Sequence, residues 1–133
     1  SRHHGRVGVH IGFDTKLAQQ IYAGADMFMM PSKSEPCGLA QMVACRYGTI
    51  PIVRETGGLR DSIHDSGDGQ GNGFTFANYT AHDLYGACSR AKDGYENPEG
   101  WGILVKRAME CDFSWEKSAK QYEALYEEIQ EYW

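Results

Sequence analysis

Short apolar stretches recur along the chain and predict four strands. Residues 6–13 (RVGVHIGF) alternate Val and Ile with small or polar residues, which is typical of a strand with one buried face. The stretches at 27–32 (MFMMPS), 49–54 (TIPIVR) and 73–77 (GFTFA) are almost continuously apolar. Such runs are typical of parallel strands that are buried on both faces.

Apolar positions three and four residues apart predict helices between and after these strands. The predicted helices cover residues 15–25, 39–48, 59–65, about 80–92, 99–111 and 115–133. Asp14 or Thr15 can cap the first helix and Ser114 the last, because their side-chain oxygens accept hydrogen bonds from free amides of the first turn. Strands that alternate with helices predict an α/β fold, a parallel sheet flanked by helices.

The stretch DSGDGQGNG, residues 65–73, contains four glycines and no apolar side chain. Polar, glycine-rich stretches between predicted elements are typical of loops. We therefore expect this stretch to be a mobile surface loop.

The composition indicates one domain and argues against two classes of partner. The chain has 133 residues, of which 41% are hydrophobic, and this is enough for one domain with its own core. Thirteen basic and 18 acidic residues give a formal net charge of −5. Nucleic acids and anionic membranes both attract basic surfaces, so we expect neither as a partner.

The four cysteines indicate a reducing location. Cys37, Cys45, Cys88 and Cys111 are widely spaced, with no C-x-x-C motif and no matching pair of histidines. This spacing favours neither a metal site nor a disulfide framework, and a cytoplasmic protein is the better interpretation. No apolar run is long enough to span a membrane.

Three predicted loops should meet at one edge of the sheet. In an open α/β sheet, ligands bind outside the carboxyl ends of the strands. Residues 12–13, 34–38 and 55–58 follow the first three predicted strands. Glycines in the last two loops would let backbone N–H groups approach a ligand closely. Both of these loops lead into a helix N-terminus, which favours a phosphate or another anion.

Glu35 and Phe13 are the side chains in these loops that suggest chemistry. Glu35 lies between Ser34 and Pro36 and has no capping or i,i+4 partner. A carboxylate repels phosphate, so beside a diphosphate it suits sugar hydroxyls or the positive charge that develops at an anomeric carbon. Phe13 could stack on a nucleobase. Structural alternatives stay open: Gly-Gly also occurs as plain turn chemistry, an aromatic residue at a strand end is often core, and Cys37 also fits as a small filler.

Residues 25–63, ADMFMMPSKSEPCGLAQMVACRYGTIPIVRETGGLRDSI, resemble the donor-site segment of bacterial glycogen synthases and plant starch synthases. The combination of E-P-C-G-L with x-T-G-G-L is specific. The resemblance continues into NPEGWGILVKRAM (97–109) and DFSWEKSAKQYEALY (112–126), and it extends back through GRVGVHIGF (5–13). It therefore covers essentially the whole chain. These enzymes are retaining glucosyltransferases of the two-domain GT-B type.

The resemblance implies transfer of glucose from a nucleotide diphosphate glucose, usually ADP-glucose, to the non-reducing end of an α-1,4-glucan, with no cofactor and no metal ion. Position by position, Glu35 matches the family's donor-site acid beside the transferred glucose, and Phe13 matches an aromatic residue, commonly Tyr, that stacks on the adenine. The other donor-binding positions are Cys37, Gly38 and Leu39, in the turn that meets the sugar, and Thr56, Gly57 and Gly58, in the loop near the diphosphate.

The sequence departs from the wider family pattern at one position. Related glycosyltransferases often have a second glutamate eight residues after the first, whereas Val43 stands there. The starch synthase branch often lacks this acid as well, so the departure narrows the branch. Two other interpretations stay open: a GT-B transferase that uses a UDP- or GDP-linked sugar, and a folding or interaction module without catalysis.

The resemblance also implies a domain organisation. GT-B enzymes have two Rossmann-like domains, and residues 1–133 correspond to the last part of the second, donor-binding domain. We expect the N-terminal domain, with its acceptor site, and the first strands of the donor domain to lie outside this sequence. The intact domain would have strand order 3-2-1-4-5-6, with residues 6–13 as strand 3. We expect the chain alone to be inactive and to self-associate.

Overall fold

The computed structural model of the chain describes residues 5–12, 14–31, 39–56, 62–111 and 127. The elements, in chain order, are α1 (Thr15–Gly24), β1 (Met27–Met30), α2 (Ala40–Arg46), β2 (Ile50–Arg54), a 3₁₀ turn (Ser66–Asp68), β3 (Phe74–Phe76), α3 (Ala81–Tyr95) and α4 (Pro98–Met109). Within these ranges, strands alternate with helices as the sequence predicts.

The three strands form one parallel sheet in the order β1-β2-β3. Met30 of β1 is opposite Val53 of β2, and Arg54 of β2 is opposite Phe76 of β3. The carboxyl ends of all three strands therefore lie at the same edge of the sheet. The predicted fold class, a parallel sheet flanked by helices, is confirmed.

The core lies between the sheet and helices α3 and α4. Strand β2 is the central strand, and its residues are buried except for Arg54, which explains its unbroken apolar sequence. Helix α3 contributes small residues to the core, and α4 contributes Trp101, whose ring stacks on Phe74 with 6.4 Å between centroids. The buried apolar residues of the core are Cys45, Ile50, Ile52, Val53, Ile63, Phe74, Phe76, Ala87, Ala91, Trp101, Leu104 and Ala108.

Side-chain caps fix where three helices begin. The Asp14 carboxylate accepts a hydrogen bond from the Leu17 amide at 3.0 Å, which confirms Asp14 as the cap of the first helix. Thr80 caps α3 and Asn97 caps α4 in the same way. Each cap satisfies an amide that has no partner within the helix.

None of the helices in the described ranges has the length and apolar character needed to cross a bilayer.

The strand predicted at 6–13 is wrong for the described part, residues 6–12, which lie outside every strand. Its apolar side chains are exposed: Val7 by 61%, Val9 by 82% and Ile11 by 92%. A strand needs a neighbour for its backbone hydrogen bonds and a surface on which to bury its apolar face. No described residue supplies either to this segment. It also does not cross over to pair with β1.

The surface loop predicted at 65–73 is exposed at Gly67, Gly69 and Gln70, but the prediction is wrong for residues 71–73. Asp65 forms a parallel bridge with Gly73, and the residues from Gly71 to Gly73 are buried. A Cβ atom on Gly71 would lie 2.1 Å from the Asp65 carbonyl oxygen, and one on Gly73 would lie 2.7 Å from the Pro51 carbonyl oxygen. The glycines are needed here because other backbone packs directly against them.

Two predicted helices include residues that the structure does not describe. The helix at 115–133, with its cap Ser114, lies outside the described residues apart from residue 127. Residues 59–61 of the helix predicted at 59–65 also lie outside them, and residues 63–65 are not helical. The remaining predicted helices match α1, α2, α3 and α4 to within a few residues at each end.

Candidate functional site

The site is predicted at the carboxyl edge of the sheet, and the structure describes two of its residues. Leu39 stands immediately before α2 with 66% of its surface exposed, and Thr56 follows β2 and is half-buried. The other predicted positions lie outside the described residues; they are Phe13, Glu35, Cys37, Gly38, Gly57 and Gly58. Because β1 and β2 are neighbours, the segments that contain these E-P-C-G and T-G-G motifs start from adjacent strand ends.

A buried hydrogen bond joins the chain where it returns from these two segments. The side-chain amide nitrogen of Gln41 donates to the Ser62 hydroxyl at 3.1 Å. Gln41 lies in the first turn of α2 and is fully buried, and Ser62 is 5% exposed. Sequence reasoning missed both residues. The available signal was a polar side chain three positions before Ala44 and four before Cys45, on what becomes the buried face of α2.

Asn72 holds the chain around Ser62 from the other side. Its amide nitrogen donates to the Ser62 carbonyl at 3.0 Å, and its amide oxygen accepts from the His64 amide at 2.8 Å. The same nitrogen lies 3.2 Å from the Cys111 sulfur, at the end of α4. Asn72 is 5% exposed, and it lies within the stretch that the sequence pattern assigned to a mobile loop.

A second polar network fixes the end of β2 against β3. The Thr75 hydroxyl donates to the Glu55 carboxylate at 2.7 Å, and the Glu55 amide donates to the Phe76 carbonyl at 2.9 Å. On the other side of Thr75, its amide donates to Asp65 at 2.9 Å. Arg90 of α3 donates to both oxygens of Asp65 at 2.9 Å and to the Thr75 carbonyl at 2.7 Å. Glu55, the residue before Thr56, is therefore held in place.

The environment of Asp65 favours its charged form. Partial burial on its own would raise the pKa of this carboxyl. Hydrogen bonds from the amides of Thr75 and Gly67, together with the hydrogen bond and charge of Arg90, outweigh that effect, so the pKa of Asp65 lies below its ordinary value. The negative charge is thus used within the fold, as the partner of Arg90.

The cysteines that the structure describes are free thiols. Burial, and then the nearby Cys111, raise the pKa of Cys45 to about 12. Burial also raises the pKa of Cys88. A thiol with a raised pKa stays protonated at neutral pH and is a poor nucleophile. Among the described residues, no three His, Cys, Asp or Glu side chains are grouped closely enough to hold a metal ion.

A shallow apolar cavity opens at the same edge of the sheet. It has a volume of about 310 Å³ and lies between the end of β1 and the start of α3. Its lining among the described residues comprises Pro31, Phe76, Tyr79, Thr80, Ala81 and Leu84. The Arg54 guanidinium stands over the Tyr79 ring, 5.6 Å from its centroid, at the rim. This cavity adjoins the end of β1, but its described lining includes none of the predicted site residues.

Parallel strands in sequence order with flanking helices define an α/β protein with a Rossmann-like fold. The chain belongs to the glycosyl transferases group 1 family, whose sequence profile matches residues 6–103. The resemblance to glycogen and starch synthases is confirmed.

Two curated relatives are glycogen synthases. The one from Desulforudis audaxviator is 55% identical over 98% of this chain and 27% of that protein. The one from Geobacillus thermodenitrificans is 55% identical over 94% of this chain and 26% of that protein. The chain therefore spans about a quarter of the length of the curated relatives that it matches.

Solved structures show the same likeness. The catalytic domain of Starch Synthase IV from Arabidopsis thaliana, determined with ADP and acarbose bound, matches with a TM-score of 0.84 and 45% identity. The match covers 94% of this chain and 27% of that one. A sucrose-phosphate synthase from Thermosynechococcus elongatus matches with a TM-score of 0.66 at 24% identity, a likeness that extends to the fold alone.

Proposed function

We propose that the chain is part of the donor-binding domain of a cytoplasmic glucosyltransferase of the glycogen and starch synthase type, with GT-B architecture. The proposed reaction transfers glucose from ADP-glucose to the non-reducing end of an α-1,4-glucan with retention of configuration. The observation that carries the proposal is 55% identity to glycogen synthases over almost the whole chain. The match to a starch synthase that binds ADP supports ADP-glucose as the donor.

The proposed roles follow the motifs at the carboxyl edge. Glu35 orients the transferred glucose and stabilises positive charge at its anomeric carbon, because a carboxylate suits hydroxyl groups and a developing cation. Phe13 stacks on the adenine. The turn of Cys37, Gly38 and Leu39 contacts the sugar through its backbone, and the loop of Thr56, Gly57 and Gly58 contacts the diphosphate. The geometry of the described residues supports this proposal, since both segments start at neighbouring strand ends.

Replacement of Glu35 tests the proposed chemistry. In the full-length protein that carries this chain, Glu35→Ala is expected to lower kcat about 100-fold or more, because one preorganised electrostatic contact at the reacting centre has about that effect. ADP affinity should change little, because Glu35 faces the sugar. Steady-state kinetics with ADP-glucose and glycogen measure the first quantity, and calorimetry with ADP measures the second.

Phe13 provides the matched comparison. Phe13→Ala should weaken ADP binding by about 1 kcal/mol, the scale of an aromatic pair, whereas Phe13→Tyr should be nearly neutral. Near wild-type turnover of Glu35→Ala would overturn the role of Glu35. A donor panel of ADP-, UDP- and GDP-glucose on the wild-type protein decides the nucleotide, and a failure to turn over any of them would overturn the proposed function.

A further inference from the structure

The Gln41–Ser62 hydrogen bond connects the exits of the two proposed donor segments. Gln41 lies three residues after Gly38, and Ser62 lies four residues after Gly58. The two side chains are 21 residues apart in sequence, and both are buried. The bond thus links the chain after the sugar-facing turn to the chain after the diphosphate loop.

A polar pair at this place costs stability that an apolar pair would not. Moving an amide and a hydroxyl out of water is unfavourable, and one good hydrogen bond offsets only part of that cost. A hydrogen bond is directional, however, and two apolar side chains of the same size can slide past each other. The pair therefore fixes the position of the first turn of α2 relative to Ser62 more narrowly than packing alone.

Ser62, the acceptor of the Gln41 hydrogen bond, is itself held in place by other contacts. Asn72 binds the backbone on both sides of Ile63, through the Ser62 carbonyl and the His64 amide. Ile63 is fully buried in the core. Next to Asn72, Gly73 packs against the backbone of Pro51 in β2. Ser62 is thus held in place relative to the central strand β2 through Asn72 and Gly73. The hydrogen bond from Gln41 to Ser62 in turn holds the start of α2.

We propose that Gln41 and Ser62 are positioning residues for the nucleotide-sugar donor. This inference rests on the proposed function. Their proposed role is to fix the start of α2, which follows the proposed glucose-binding turn, against Ser62, which follows the proposed diphosphate loop. A donor that contacts both the glucose-binding turn and the diphosphate loop binds tightly only when the two are correctly spaced. If the spacing changes, the donor cannot make both sets of contacts at once.

Removal of the hydrogen bond tests the proposal in the full-length protein. Gln41→Met keeps the length of the side chain without its polar atoms, and Ser62→Ala deletes only a hydroxyl. Each should raise the KM for ADP-glucose and the Kd for ADP about fivefold, the effect of about one hydrogen bond. The KM for glycogen should stay unchanged. Since both variants break the same bond, the double variant should bind ADP about as well as the weaker single variant.

Thr49→Val is the matched control, because it also removes a buried hydroxyl from a near-isosteric side chain. The Thr49 hydroxyl donates to the Tyr22 carbonyl and lies 3.1 Å from the Ala25 carbonyl oxygen, at the opposite edge of the sheet. This variant should lower the Tm without changing the Kd for ADP. Ser62→Ala, the smallest change, carries the test even where Gln41→Met does not fold.

The outcomes separate the two proposals. Weaker ADP binding in the Gln41 and Ser62 variants, with normal binding in Thr49→Val, supports the positioning role. If all three variants lower the Tm and none changes the Kd for ADP, the hydrogen bond is structural and the positioning role is wrong. If the wild-type protein neither binds ADP nor transfers glucose, the proposed function fails and this inference fails with it.

Discussion

Single residues decide how the stretch from 65 to 73 folds. Polar, glycine-rich sequence is typical of loops, and composition gives no sign that three of its residues are buried. The reason lies in Gly71 and Gly73, which allow backbone from other parts of the chain to approach more closely than any side chain would permit. This close packing places Asn72, whose amide group holds residues 62–64.

Gly71→Ala should destabilise the protein by about 3 kcal/mol, because the new methyl group would overlap the Asp65 and His64 backbone. Urea unfolding measures the change. Gly86→Ala, in the exposed middle of α3, has no atom within 4 Å of the new Cβ and should stabilise the protein by up to about 1 kcal/mol. Equal changes in the free energy of unfolding for the two variants would show that the backbone around Gly71 can move to accommodate a methyl group.

At the scale of elements, polar contacts join parts that the apolar pattern treats separately. The pattern of apolar residues predicts β3 and α3 but does not show which contact joins them to the 3₁₀ turn. Asp65 supplies it, since its carboxylate accepts bonds from the turn at Gly67, from β3 at Thr75 and from α3 at Arg90. Helix α3 is thereby fixed to Thr75, the middle residue of β3.

The Asp65 network should make part of the stability depend on pH. The pKa of Asp65 is lowered in the folded state, so its charged form is stabilised by folding. That stability is present above the pKa of the unfolded chain, about 3.9, and is lost as the pH falls through the lower folded value. Asp65→Asn, which cannot accept both bonds from Arg90, should lower the Tm at pH 7 by about 3–6 °C.

Thermal unfolding from pH 7 to pH 2 measures this dependence. The loss of stability in acid should be smaller for Asp65→Asn than for the wild type, because one acid-sensitive contact is already gone. Asp93→Asn is the control: this carboxylate lies on the same helix as Arg90 and has no hydrogen bond or ion pair with the described residues. An identical acid response of wild type and Asp65→Asn would contradict the argument.

At the scale of the whole molecule, β1 is an edge strand of the sheet that the described residues form. No described residue pairs with β1 on the side away from β2. Met29, on this edge strand, is 49% exposed. Val9 and Ile11, in the segment before α1, are 82% and 92% exposed. An apolar strand with free backbone groups at an edge favours pairing with another chain.

The 133-residue chain is therefore expected to self-associate. Sedimentation velocity should show species larger than the monomer, increasing with concentration. Replacing Val9 and Ile11 by Lys should reduce the association, because charged side chains on an exposed apolar segment oppose pairing. Tyr85→Lys, at a side chain on α3 that is 73% exposed, should leave it unchanged. A monomer at every concentration would contradict the prediction.

We also expect no glucose transfer by this chain alone, since the proposed acceptor site lies in another domain.

The sequence by itself determined four of the helices, three of the strands, their parallel arrangement and the family, because periodicity, caps and local motifs are local properties of the chain. Only the tertiary structure decided which polar residues carry long-range contacts. Gln41 and Asn72 are ordinary polar residues until the fold brings Ser62 beside them. It also decided that residues 6–12 form no strand here, because strand formation depends on a neighbour that no local pattern can supply.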